Sequence, residues 1–112
     1  MRTLLLDSFR DIAAADWDRL AGPLKQPFLN HAFLGGLEES GCATPASGWQ
    51  AQLLTLQDDD TVRAALPMYA KTHSMGEFVF DWAWADAYAR HGLAYYPKLV
   101  VAVPFSPVQG PR

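Results

Sequence analysis

The sequence predicts a mixed α/β domain, of the α+β kind, with an antiparallel first half flanked by helices. Three observations predict it. Apolar residues recur at helical spacing up to residue 40, and two β-prone runs then flank the triplet Asp58-Asp59-Asp60. A continuously apolar, β-branched run follows at Leu99–Val103. A period that changes in this way places helices and strands around one core.

Arg2–Leu6 reads as a short strand. Asp11–Leu20 carries Ile12, Trp17 and Leu20 at mixed helical spacing and stops at Gly22-Pro23. A second helix starts after Asn30, a good N-cap, and runs through Phe33, Leu34 and Leu37 to Ser40-Gly41. Ala43–Gly48 is a loop by composition. Trp49–Gln57 and Thr61–Lys71, joined by the acidic turn, form an antiparallel hairpin, with Pro67 marking a bulge or an edge. Glu77–Phe80 is a third short strand candidate. Asp81 caps a helix over Trp82–His91, Gly92 ends it in the left-handed region, and Asp86 pairs with Arg90 one turn on. Leu99–Val103 reads as a central strand buried on both faces. A central strand needs neighbours on both edges, so the reading expects an incomplete domain, the N-terminal piece of a longer protein or a truncated gene product.

The 112 residues suffice for one domain, burying roughly two-thirds of the surface of the unfolded chain. Nine basic and 12 acidic residues leave a net charge of −3, and the basic residues are scattered. DNA binding, which rests on phosphate neutralisation, is therefore disfavoured. Cys42 is the single cysteine, so no disulfide forms within the chain. MRTLLLDSF is too short for a signal peptide or a membrane span, and the cytoplasm is the default location. His31, His73, His91, Glu77 and Cys42 show no metal-ligand spacing, so no metal is expected.

The stretch His73–Tyr88, HSMGEFVFDWAWADAY, gathers three carboxylates and six aromatic rings, His73 included. Together with PFLNHAFLGGLEESGCATPASGW, YYPKL and VPFSPVQGPR, it closely resembles the FemAB-like peptidoglycan biosynthesis/recognition family, from about Trp17 onward. That family is placed in the GNAT acyltransferase superfamily. The resemblance implies a GNAT-like fold and N-acyl or aminoacyl transfer to an amine of a peptidoglycan precursor, with acetyl-CoA or aminoacyl-tRNA as co-substrate. It also implies a second GNAT-like half, since relatives continue well beyond GPR. The alternative is a non-catalytic domain that recognises a muropeptide or a protein.

Acyl transfer to an amine needs a base, donors for the oxyanion and a grip on the anionic parts of the ligands. Glu77 and His73 are the candidates for the base. Against this, Glu77 also reads as a strand-end surface residue and His73 as a turn residue bonded to backbone. Trp82 reads as core. Trp84 and Tyr88, on one helix face, either line a pocket or pack in the core. Tyr95 and Tyr96 lead into the last strand and are substrate-side candidates. Lys98 meets a phosphate or carboxylate, or snorkels at a strand mouth. Arg112, beside Gly110, is the other candidate anion ligand, in a loop that faintly echoes the pyrophosphate loop of acetyl-CoA enzymes. An unpaired edge of the last strand would allow a homodimer.

Overall fold

The computed structural model describes residues 1–21, 27–75, 77 and 81–105. Its elements are β1 (Arg2–Leu6), α1 (Ala14–Ala21), α2 (His31–Glu39), β2 (Trp49–Ala51), β3 (Leu53–Asp58), β4 (Thr61–Leu66), β5 (Met68–Lys71), α3 (Trp82–Arg90) and β6 (Lys98–Val101). Among the described residues this is a mixed α+β fold of three helices and two antiparallel three-stranded sheets, ordered β1-β3-β4 and β2-β5-β6.

The hairpin around the acidic triplet builds both sheets. Its tip places Asp59 at φ 53°, in the left-handed region that aspartate tolerates. Below the tip the ladder shifts once, between Leu56 and Gln57. From there Leu54 opposes Leu66, Ala51 opposes Tyr69 and Trp49 opposes Lys71, so one register runs the rest of its length. The two predicted strands are each interrupted, at Gln52 and at Pro67. Proline has no N–H to give the ladder, and this one is fully buried. Gln52 N still donates to the Met68 carbonyl at 2.8 Å, which keeps the ribbon together through the break. On either side of it β1 joins β3 and β6 joins β5.

Alternate residues Trp49, Ala51, Leu53 and Thr55 turn one face inward and are buried. Phe9, Ile12, Trp17, Leu34, Val62 and Tyr69 complete the core. The Trp17 indole donates to the Leu29 carbonyl at 2.7 Å, and the Phe9 ring meets Trp17 edge-on at 5.1 Å. The first helix starts at Ala14 rather than Asp11, because Phe9–Asp11 wind as a 3-10 turn that sends Phe9 into the core. In that turn the Ser8 hydroxyl accepts from Arg10 N–H. The second helix begins after Asn30 as expected, although the Asn30 side chain makes no capping bond. Gly92 ends α3 at φ 71°, and Leu93 N–H closes back on the Tyr88 carbonyl at 2.8 Å.

Two expectations are corrected. The apolar run at Leu99–Val103 is not buried on both faces: among the described residues β6 is the edge strand beside β5, with Leu99 66% and Val101 41% exposed. An unbroken run of apolar residues has no alternation to tell a covered face from an open one. Trp82 is likewise 58% exposed on α3 rather than in the core. Glu77 lies outside any strand, and the rest of the third strand candidate, 78–80, lies outside the described residues.

Gly48 and Gly36 separate two uses of glycine. Gly48 has φ 87°, and a methyl group there would run into the His73 imidazole, whereas Gly36 in α2 has open space around it. Gly48→Ala is expected to cost about 1–3 kcal/mol, and Gly36→Ala to add about 0.5–1 kcal/mol. Urea denaturation midpoints moving in opposite directions would bear this out.

Candidate active site

Lys71, the last residue of β5, sits directly opposite Lys98, the first of β6. Residues facing each other across antiparallel strands project to one side, so the pairing brings two ammonium groups to the same inner face. Burying them requires counter-charges. Glu77 and Asp81, from the segment that links β5 to α3, supply two.

Lys98 Nζ lies 2.9 Å from Glu77 Oε1, 2.6 Å from Asp81 Oδ2 and 3.1 Å from Ser74 Oγ. The Ser74 hydroxyl donates to Asp81 Oδ1 and lies 2.6 Å from the Tyr96 hydroxyl, and the Tyr95 hydroxyl donates to Asp81 Oδ2. Lys71 Nζ donates to the Met75 carbonyl, stands 3.8 Å over the Trp49 ring and lies 3.8 Å from Glu77 Oε2. The Lys71 side chain is completely enclosed, and those of Lys98, Glu77 and Asp81 are partly buried, 12%, 14% and 19% exposed. Glu77 Oε2 itself is buried and has no hydrogen-bond partner among the described residues.

The protonation behaviour follows from these contacts. Burial pushes the Lys71 ammonium below its ordinary range, and the nearby Glu77 carboxylate opposes that shift without cancelling it. Burial would also lower Lys98, but hydrogen bonds to Asp81 and Glu77 outweigh it and raise the group. Burial would raise the Asp81 carboxyl, yet the bonds from Lys98, Ser74 and Tyr95 hold it well below the usual carboxylate range. The Tyr95 phenol, bonded to Asp81, is raised. Asp81 and Lys98 thus form a charged pair, to which the protonated Tyr95 phenol is hydrogen-bonded. Lys71 is the amine that gives up its proton more readily than a free lysine.

Of the residues singled out in the sequence, Glu77, Tyr95, Tyr96 and Lys98 come together here. Tyr88 packs edge-on against Tyr95 at 5.1 Å and so borders the cluster, while Trp84, 65% exposed, presents its ring on α3. His73 turns elsewhere: its Nδ1 accepts from Met75 N–H at 3.0 Å and its ring abuts Gly48, the turn arrangement weighed as its alternative. Arg112 lies outside the described residues. Asp81 is corrected, since its side chain makes no capping bond to α3. Charge-assisted bonds to Lys98 are stronger than a bond to one neutral N–H, and Asp81 has turned to them. Sequence reasoning missed Lys71 and Ser74 altogether. One signal for Lys71 was present: it shares strand parity with the core residue Tyr69.

A family model described as FemAB-like, peptidoglycan biosynthesis/recognition, matches residues 8–112, a span that contains every residue of the cluster. The chain belongs to the FemAB-like family. Membership ties it to peptidoglycan biosynthesis or recognition. No curated protein and no solved structure matches the chain significantly. Among the described residues no helix is long and apolar enough to cross a membrane, and no group of three His, Cys, Asp or Glu side chains could hold a metal.

Asp81 makes the cluster sensitive to acid. Its carboxyl is lower in the folded protein than in the unfolded chain. The stability it contributes is present above the unfolded value of about 3.9 and is lost as pH falls toward the folded one. Asp81→Asn is expected to cost about 2 kcal/mol at neutral pH and to flatten the fall in stability below about pH 5, as measured by denaturant titrations at several pH values.

Proposed function

We propose that this FemAB-like chain contributes the acceptor side of an N-acyl or aminoacyltransferase that modifies an amine of a peptidoglycan precursor. Glu77 Oε2 carries the reading: it is a carboxylate oxygen, shielded from water and without a hydrogen-bond partner among the described residues, beside the low-lying Lys71 amine. Such an oxygen can accept a proton from an incoming ammonium group. The freed amine attacks the acyl carbon of the donor, an aminoacyl ester of tRNA or the thioester of acetyl-CoA. A C–N bond forms, the C–O or C–S bond breaks, and the leaving group departs with a proton. Lys98, whose three N–H donors go to Glu77, Asp81 and Ser74, fixes the Glu77 carboxylate in place. Placement in the GNAT superfamily belongs to the same proposal.

The test is transfer of a mass-labelled acyl group to a muropeptide with a free amine. Glu77→Gln is expected to lower the rate at least about 100-fold, the scale of general-base catalysis, with muropeptide binding retained. Equal rates for Glu77→Gln and wild type would refute the role of Glu77. Failure of the wild-type protein to bind either donor would refute the transferase reading.

A second reading, recognition without chemistry, draws on the exposed rings of Trp84 and Tyr88 next to the cluster. Aromatic faces suit sugar and peptide surfaces. Under it, muropeptides quench tryptophan fluorescence in wild type and in Glu77→Ala alike, and Trp84→Ala abolishes the quenching.

A further inference from the structure

Lys71 is the member of the charged cluster to which the chemistry above gives no part. Its side chain has no exposed surface, so its ammonium group does not meet a substrate directly. What it does meet is Glu77. Lys71 Nζ stands 3.8 Å from Glu77 Oε2 and 3.8 Å over the Trp49 ring, and it donates to the Met75 carbonyl.

The four charges of the cluster are unequally provided for. Asp81 receives hydrogen bonds from Lys98, Ser74 and Tyr95, and the Tyr96 hydroxyl lies beside Ser74. Glu77 receives one, from Lys98 to Oε1, and its Oε2 has none among the described residues. A carboxylate largely removed from water stays ionised only with enough positive charge or enough donors beside it. Two ammonium groups balance two carboxylates here. Without the charge on Lys71 one negative charge would be left over, and it would fall on Glu77, the carboxylate with fewer donors. The coupling also runs the other way. The Glu77 carboxylate favours the proton on Lys71 against the effect of burial. A group that holds a proton on its neighbour is held ionised by that neighbour to the same extent.

We propose that Lys71 is a positioning residue for Glu77: its enclosed ammonium group keeps the Glu77 carboxylate ionised away from water, with Oε2 free to take a proton. The use made of that proton rests on the transferase reading. The coupling of the two charges does not.

Lys71→Met keeps most of the side-chain volume and removes the charge. In the full chain labelled with [¹³C]glutamate, infrared spectroscopy reads the Glu77 carboxyl at neutral pH, its band assigned by its loss in Glu77→Gln. Glu77 is expected to be ionised in wild type and protonated in Lys71→Met. Urea midpoints give a second reading. In folded Lys71→Met the unbalanced Glu77 carboxyl rises above its unfolded value of about 4.3, so the stability of that variant falls as pH climbs past the unfolded value. Its deficit against wild type should therefore widen from about pH 5 to about pH 8, and Lys71→Met/Glu77→Gln should show no such widening. In the transfer assay the acid limb of the rate profile should move up by about one pH unit or more in Lys71→Met.

An ionised Glu77 in Lys71→Met, or a deficit equal at both pH values, would overturn the proposal. So would failure of both Lys71→Met and the double variant to fold, which would make Lys71 a packing residue. Transfer absent from wild type alongside the expected infrared and urea results would refute the transferase reading and uphold the coupling.

Discussion

Because Trp49 opposes Lys71, Ala51 opposes Tyr69 and Leu54 opposes Leu66, one antiparallel register runs through a ribbon that belongs to two sheets. The rest of the molecule hangs on that register. A slip of one residue would turn Trp49, Ala51, Leu53 and Thr55 outward together, since side chains alternate with period two. It would also move Lys71 away from Trp49, whose ring covers its ammonium group; the pairing of Lys71 with Lys98 rests on the second register, of β6 on β5. Pro67 lets the ribbon serve both sheets by withholding one ladder bond while filling buried space.

The cluster that this register builds is a poor way to gain stability. Two ammonium and two carboxylate groups have been taken largely out of water, and pairs of this kind do little more than offset their own desolvation. Apolar side chains of similar volume would hold the strand ends together as well. What the charges do confer is fixed geometry: Ser74, Tyr95, Tyr96 and Lys98 all converge on Asp81 or on one another. Polar networks that rigidify without a large gain in stability are common where chemistry or recognition occurs.

Much of the fold was legible in the residues, and for local reasons. Arg2–Leu6 forms the first strand, the acidic triplet turns the hairpin, and Gly92 ends the third helix, each as its own chemistry predicts. The site was half legible. Glu77, Tyr95, Tyr96 and Lys98 stood out as polar or aromatic residues in a specific motif. Asp81 was misread because the preference for an aspartate before a helix is a rule about neighbours, and Lys98 is 17 residues away. Lys71 was passed over for a related reason: a lysine ending a strand usually faces water, and its shared parity with Tyr69 was the one signal against that, which the register explains by facing it to Trp49 and Glu77. The apolar run of β6 misled because apolar residues without alternation do not say which face is covered.

Lys71 has one more consequence. Its amine has no exposed surface, roofed by the Trp49 ring and tied to the Met75 carbonyl. Reagents that modify lysines act on amines that solvent can reach, so this one is sheltered for as long as Trp49 and Met75 stay in contact with it. Opening of the contacts with Trp49 and Met75 would unveil a nucleophile that is silent while they hold. The rate at which Lys71 becomes chemically reachable would serve as the molecule's own clock for the opening of its site.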